Sequence, residues 1–67
     1  MSFSENLRRA RKQAGMNQTQ LAEAIGSKQN DVSRWEKAEF TPNIEKVVKI
    51  CQVLNVSADE LLETGIK

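Results

Sequence analysis

Sixty-seven residues of ordinary composition, 39% hydrophobic and 28% charged, fit one globular domain over residues 1–67 and leave room for no second. The apolar share is too high and the net charge of +1 too low for a disordered chain, and no apolar run reaches the roughly 20 residues that span a bilayer. The start, Met1-Ser2-Phe3-Ser4-Glu5, lacks a charged-then-apolar signal architecture, so the expected location is the cytoplasm.

With one proline and few β-branched or aromatic runs, the chain is expected to be all-α. A first helix is predicted over residues 3–14, with Phe3, Leu7, Ala10 and Ala14 at helical spacing. Ser2 with Glu5 fits a capping box, Ser4 is the rival cap, and Gly15 is the stop. A second helix is predicted over 18–25, capped by Asn17 with Gln20 and closed by Gly26; Leu21, Ala22 and Ile25 face inward. A third covers 28–37, where Val32 and Trp35 form a narrow buried edge and Gln29, Asn30, Ser33, Arg34 and Lys37 fall on the other side.

The stretch Glu39-Phe40-Thr41-Pro42 reads as a loop, because Pro42 cannot continue a helix and holds Thr41 extended. A fourth helix over 44–54, capped by Asn43, carries a wide apolar face of Ile44, Val47, Val48, Ile50, Cys51 and Leu54. A fifth over 58–63 opens on the box Ser57–Glu60 and packs Leu61 and Leu62 inward, with residues 64–67 fraying. Cys51 is the only cysteine, so no disulfide forms within the chain, and it reads as a small core hydrophobe. A catalytic or metal-bound thiolate needs partners, and the chain has no histidine.

The second and third helices, joined through Gly26 and Ser27, have the form of a helix-turn-helix unit, whose second member lies in the DNA major groove. Gln29 and Asn30 can each make two hydrogen bonds to adenine and Arg34 two to guanine. Asn17 and Gln18 open the second helix, where free backbone N–H groups and the helix dipole favour a phosphate. Lys28 and Lys37 flank the third helix as further phosphate contacts. Charge is unevenly spread: residues 1–37 hold seven basic and four acidic side chains, residues 38–67 three and five. A basic half beside an acidic half points to a face turned toward a polyanion.

The run Gly15-Met16-Asn17-Gln18-Thr19-Gln20-Leu21-Ala22-Glu23-Ala24-Ile25-Gly26, followed by Val32-Ser33-Arg34-Trp35-Glu36 and Pro42, resembles the Cro/C1-type (Xre-like) helix-turn-helix domain. Ile50, Leu54-Asn55-Val56-Ser57 and Glu60-Leu61-Leu62 extend the resemblance over residues 3–63. It implies a five-helix lambda-repressor-like fold, a phosphate contact from Gln18, and base reading by Gln29, Asn30, Ser33 and Arg34. It also implies an ion pair of Arg11 with Glu36 that links the first helix to the third. Three positions depart from the family pattern: Ser27 stands for an apolar residue, Lys28 for a Ser or Thr cap, and Ala38 for Gly. Either Ser27 caps the third helix and shifts its start by one residue, or Lys28 leaves that end uncapped.

The expected function is sequence-specific binding of double-stranded DNA by a homodimeric transcription regulator. Repression follows from promoter occlusion, and activation is equally compatible with the sequence. Phe40, the loop 38–43 and the fifth helix are candidates for the dimer contact. The competing reading is a protein-interaction or antitoxin-like module on the same fold. No cofactor, metal or small-molecule ligand is indicated, and no membrane association. An enzyme is disfavoured by the absence of histidine, of a Gly-rich phosphate loop and of a nucleophile–base pair.

Overall fold

A computed structural model describes residues 2–62 as five helices: α1 Phe3–Gln13, α2 Gln18–Ile25, α3 Gln29–Glu36, α4 Ile44–Leu54 and α5 Ala58–Leu62. Among the described residues there is no strand, and no helix is long and apolar enough to cross a membrane. The expectations for Glu63 and for fraying over 64–67 lie outside the described residues.

The helix starts follow from local side-chain chemistry. Ser2, not Ser4, caps α1: its Oγ accepts from the Glu5 N–H, and the Glu5 carboxylate accepts from the Ser2 N–H at 3.1 Å. Asn17 and Gln20 do the same for α2, at 2.7 and 2.8 Å, and Asn43 Oδ1 accepts from Lys46 N–H at 2.9 Å in α4. α3 is the exception. Lys28 occupies the N-cap position, its ammonium has no acceptor to offer, and only the reverse half of a box remains, Lys28 N–H to Asp31 Oδ2 at 3.4 Å. Ser27 does not cap; its Oγ is buried without a partner among the described residues. The helix therefore begins at Gln29, one residue later than the predicted 28, and ends at Glu36 rather than 37.

The helix ends share one device. After α2, Gly26 turns left-handed at φ 73°, and the Ser27 N–H bonds back to Ala22 O while that of Gly26 bonds to Glu23 O. The same wrap follows α3 although Ala38 replaces glycine: Ala38 sits at φ 63°, Ala38 N–H reaches Trp35 O, and Glu39 N–H reaches Arg34 O. The exit expected of glycine is thus kept, at the strain of a left-handed residue that carries a Cβ.

Leu7, Leu21, Ile25, Val32, Ile50 and Leu61 are fully buried, joined by Ala22, Trp35, Val47 and Leu54. α1 packs on α3 and α5, and α2 packs on α3 and α4, so the α2–α3 pair is held from both sides. Each large apolar side chain removed from water contributes roughly 1.5–3 kcal/mol. The apolar face of α4 is narrower than its pattern suggests. Val47, Ile50 and Leu54 are buried and Cys51 is half-buried, but Ile44 and Val48 are 70% and 49% exposed. In α5, Leu61 packs inward while Leu62 is exposed, and Ala14, beyond the end of α1, is exposed too. A helix only five residues long buries one leucine at this spacing, not two neighbours. Partial burial pushes the Cys51 thiol up from its ordinary value, which leaves it protonated and weakly nucleophilic at neutral pH.

These backbone conformations set opposite signs for two substitutions. Ala38→Gly is expected to raise stability by about 0.5–1 kcal/mol, because it removes left-handed strain at modest entropic cost. Gly26→Ala is expected to lower it by roughly 1–2 kcal/mol through strain alone, since an added Cβ meets nothing nearer than Lys46 Nζ at 4.0 Å. Thermal unfolding should show shifts of several degrees in opposite directions.

Candidate nucleic-acid interface

Four side chains form a continuous polar chain from the interior to the outer face of α3. At its root, Arg11 of α1 grips Glu36 of α3 with two bonds, Nε to Oε2 at 2.6 Å and Nη2 to Oε1 at 3.0 Å. Both side chains are almost fully enclosed, 9% and 4% exposed. Arg11 Nη1 donates to the carbonyl of Met16, just before α2, at 2.8 Å. A charge removed from water in this way is tolerated only when it is paired and hydrogen-bonded. The fork geometry of the guanidinium meets that demand against a carboxylate.

Glu36 Oε1 accepts a second bond, from Gln18 Nε2 at 3.1 Å. Gln18 Oε1 in turn accepts from Gln29 Nε2 at 2.6 Å. The first side chain of α2 and the first of α3 are thus fixed relative to each other, and both are referenced to the buried pair. An amide on a flexible stem loses rotamer freedom when it binds a ligand; here that loss is already made in the fold.

The other positions singled out by the sequence are distributed as follows. Asn30 and Arg34 are exposed on α3 and Ser33 is half-buried between them. Together with Gln29 they form one outward face, since residues three and four apart are neighbours on a helix. Arg34 does not extend freely: its guanidinium carbon lies 5.5 Å from the ring centroid of Phe40, which is itself 58% exposed. Asn17 is engaged as the α2 cap through its Oδ1. The box at Asn17 and Gln20 leaves the N–H groups of Gln18 and Thr19 as the open donors of that helix end. Lys28 and Lys37 are exposed at the two ends of α3.

Two contributors were not legible in the sequence. Lys46 of α4 donates from Nζ to Ile25 O at 3.2 Å and to Gly26 O at 3.1 Å. It clasps the turn of the α2–α3 pair and places a cation at the negative end of the α2 dipole. Phe40 holds Arg34 from beyond the end of α3. Neither contact follows a helical period, so no pattern along the chain announces it. Among the described residues, no group of three or more Asp, Glu or Cys side chains is arranged to hold a metal.

A helix-turn-helix family model matches residues 7–61. The phage repressor RstR of Vibrio cholerae is 36% identical over 61 residues, 91% of this chain and 54% of that protein. The transcriptional activator BcrR of Enterococcus faecalis is 36% identical over 62 residues, 92% of this chain and 30% of its own length. The chain thus spans about half or less of these relatives. In three dimensions it is similar to the P22 c2 repressor crystallised with a synthetic operator, with a TM-score of 0.89 at 30% identity, covering 94% of this chain and 96% of that one.

Cutting the root of the polar chain is expected to be costly. Arg11→Ala leaves Glu36 buried and unpaired, which should remove about 3–5 kcal/mol of stability, a large share of the 5–15 typical of small domains. Replacing both partners, Arg11→Met with Glu36→Leu, should cost far less, because no orphan charge remains. Urea denaturation of the three proteins checks both statements.

Proposed function

Because the chain belongs to the Cro/C1-type helix-turn-helix family, we propose that it is a sequence-specific duplex DNA-binding transcription regulator that reads operator half-sites with α3 in the major groove. The observation that carries this reading is the Gln29–Gln18–Glu36 chain. It holds a candidate base-reading amide and a candidate phosphate-binding amide in one fixed geometry.

Gln29, Asn30, Ser33 and Arg34 face the base edges, with the amides suited to adenine and Arg34 to guanine. Gln18, with the open N–H groups at the start of α2, takes a phosphate. Asn17, Lys28 and Lys37 add contacts along the backbone, which fix register without reading sequence. The contact of Arg34 with the Phe40 ring favours one placement of the guanidinium before DNA arrives.

A single unit of this size buries too little surface for operator affinity, so the working form is a two-fold homodimer on half-sites about one helical turn apart. The exposed Phe40, Ile44 and Val48 supply apolar surface for that contact. Ile44 and Val48 lie one turn apart on α4, on one face of that helix. Occupancy of a promoter by such a dimer excludes polymerase, which makes repression its direct outcome.

Selection of bound duplexes from a random pool tests the reading. An enriched inverted repeat with half-sites about 10–10.5 base pairs apart is the expected result. No enrichment by folded protein at low salt would overturn it in favour of a protein-interaction module. On the selected site, Gln29→Ala, Asn30→Ala and Arg34→Ala should each lose about 1–3 kcal/mol of base discrimination. Equal losses on selected and random duplexes would remove the base-reading role from the residue concerned.

A further inference from the structure

Beside the buried pair, α1 and α3 leave an open cleft of about 410 Å³ whose walls include Arg8, Lys12, Ser33 and Lys37, with Gln18 and Glu36 at its inner side. The electrostatics are one-sided. Arg11 and Glu36 cancel each other, while Arg8, Lys12 and Lys37 are exposed cations without an ion-pair partner among the described residues. The helix dipoles account separately for Lys12, in the last turn of α1, and for Lys37, at the end of α3. They do not account for Arg8 in the middle of α1, nor for the meeting of all three charges on one concavity. Cations gathered in a cleft with low-dielectric walls focus a positive potential there. Gln18 and Ser33 connect the cleft with the outward face of α3, so a strand that passes Gln18 continues into it.

We propose that this cleft seats one backbone phosphate of duplex DNA, held by Arg8 and Lys12 of α1 with Lys37 left to a neighbouring phosphate, a reading that rests on the DNA-binding function proposed above. Arg8 and Lys12 lie on a helix that reads no bases. Their contribution is to affinity and register: they extend the footprint from the α2–α3 pair onto α1 and fix its angle on the duplex.

The test is the slope of log K against log salt on the selected site and on a random duplex, measured for the wild type, Arg8→Ala, Lys12→Ala, the double variant and Lys49→Ala. Lys49 is an exposed lysine of α4 outside the cleft. Because one phosphate is shared, the double variant should lose about 0.9 from the slope, and no more, on both duplexes, while Lys49→Ala leaves it unchanged. In the wild type, a single neutral methylphosphonate at the seated position should reproduce that loss, and it should add nothing in the double variant. Retention of the full slope by the double variant, or an equal loss in Lys49→Ala, would overturn the phosphate seat and leave operator binding intact. Absence of salt-dependent binding of the wild type to any duplex would overturn the DNA-binding reading, and the seat with it.

Discussion

The structure depends on a charge that cannot be left alone. Arg11 is buried at the junction of α1, α3 and the segment entering α2. Its guanidinium is tolerated there because Glu36 and the Met16 carbonyl accept three of its five donors. The pair costs desolvation energy that two apolar residues would not, so its presence is poor evidence of a gain in stability. What it supplies is direction. A hydrophobic contact tolerates sliding; a two-pronged bond between a guanidinium and a carboxylate does not. α3 is therefore fixed in rotation relative to α1, and the same enclosed carboxylate, through Oε1, fixes Gln18 in turn.

The turn between α2 and α3 is where stability has been relinquished. Lys28 stands where a side-chain acceptor would close the helix start, and Ser27 buries a hydroxyl without a partner. A lost cap is worth about 0.5–2 kcal/mol, and an unsatisfied buried polar group about 1–3. The partial bond from Asp31 and the clasp of Lys46 on the Ile25 and Gly26 carbonyls work against that deficit from either side. The helix that presents the outward polar face is thus held chiefly by its neighbours and by Trp35 and Val32 beneath it, rather than by its own ends.

Much of this was legible along the chain because the signals are local. Five helices, the caps Ser2, Asn17 and Asn43, and the stops at Gly15 and Gly26 all rest on residues within six positions of one another, where side-chain type alone decides the hydrogen bond. The exposure of Ile44, Val48 and Leu62 was not legible. An apolar stripe shows which residues could be buried, while the number of neighbours available to cover them is settled in three dimensions. Lys46 and Phe40 were missed for the related reason that their partners lie beyond any helical period. The pairing of Arg11 with Glu36 spans 25 residues and came from family resemblance, since spacing alone does not select one carboxylate among several.

The left-handed residues that end the helices bear on how the domain forms. Gly15, Gly26, Ala38 and Asn55 each reverse the chain within one residue, so a helix stops where its own sequence tells it to, before any distant contact exists. Connections stay short, while the packing of α1 on α3 and α5 closes most of the chain. Small helical domains, whose contacts are mostly local, typically fold in microseconds to milliseconds. An opened molecule therefore recovers these helix stops from neighbouring residues alone, and only the closing of α1 onto α3 and α5 waits on the rest of the chain.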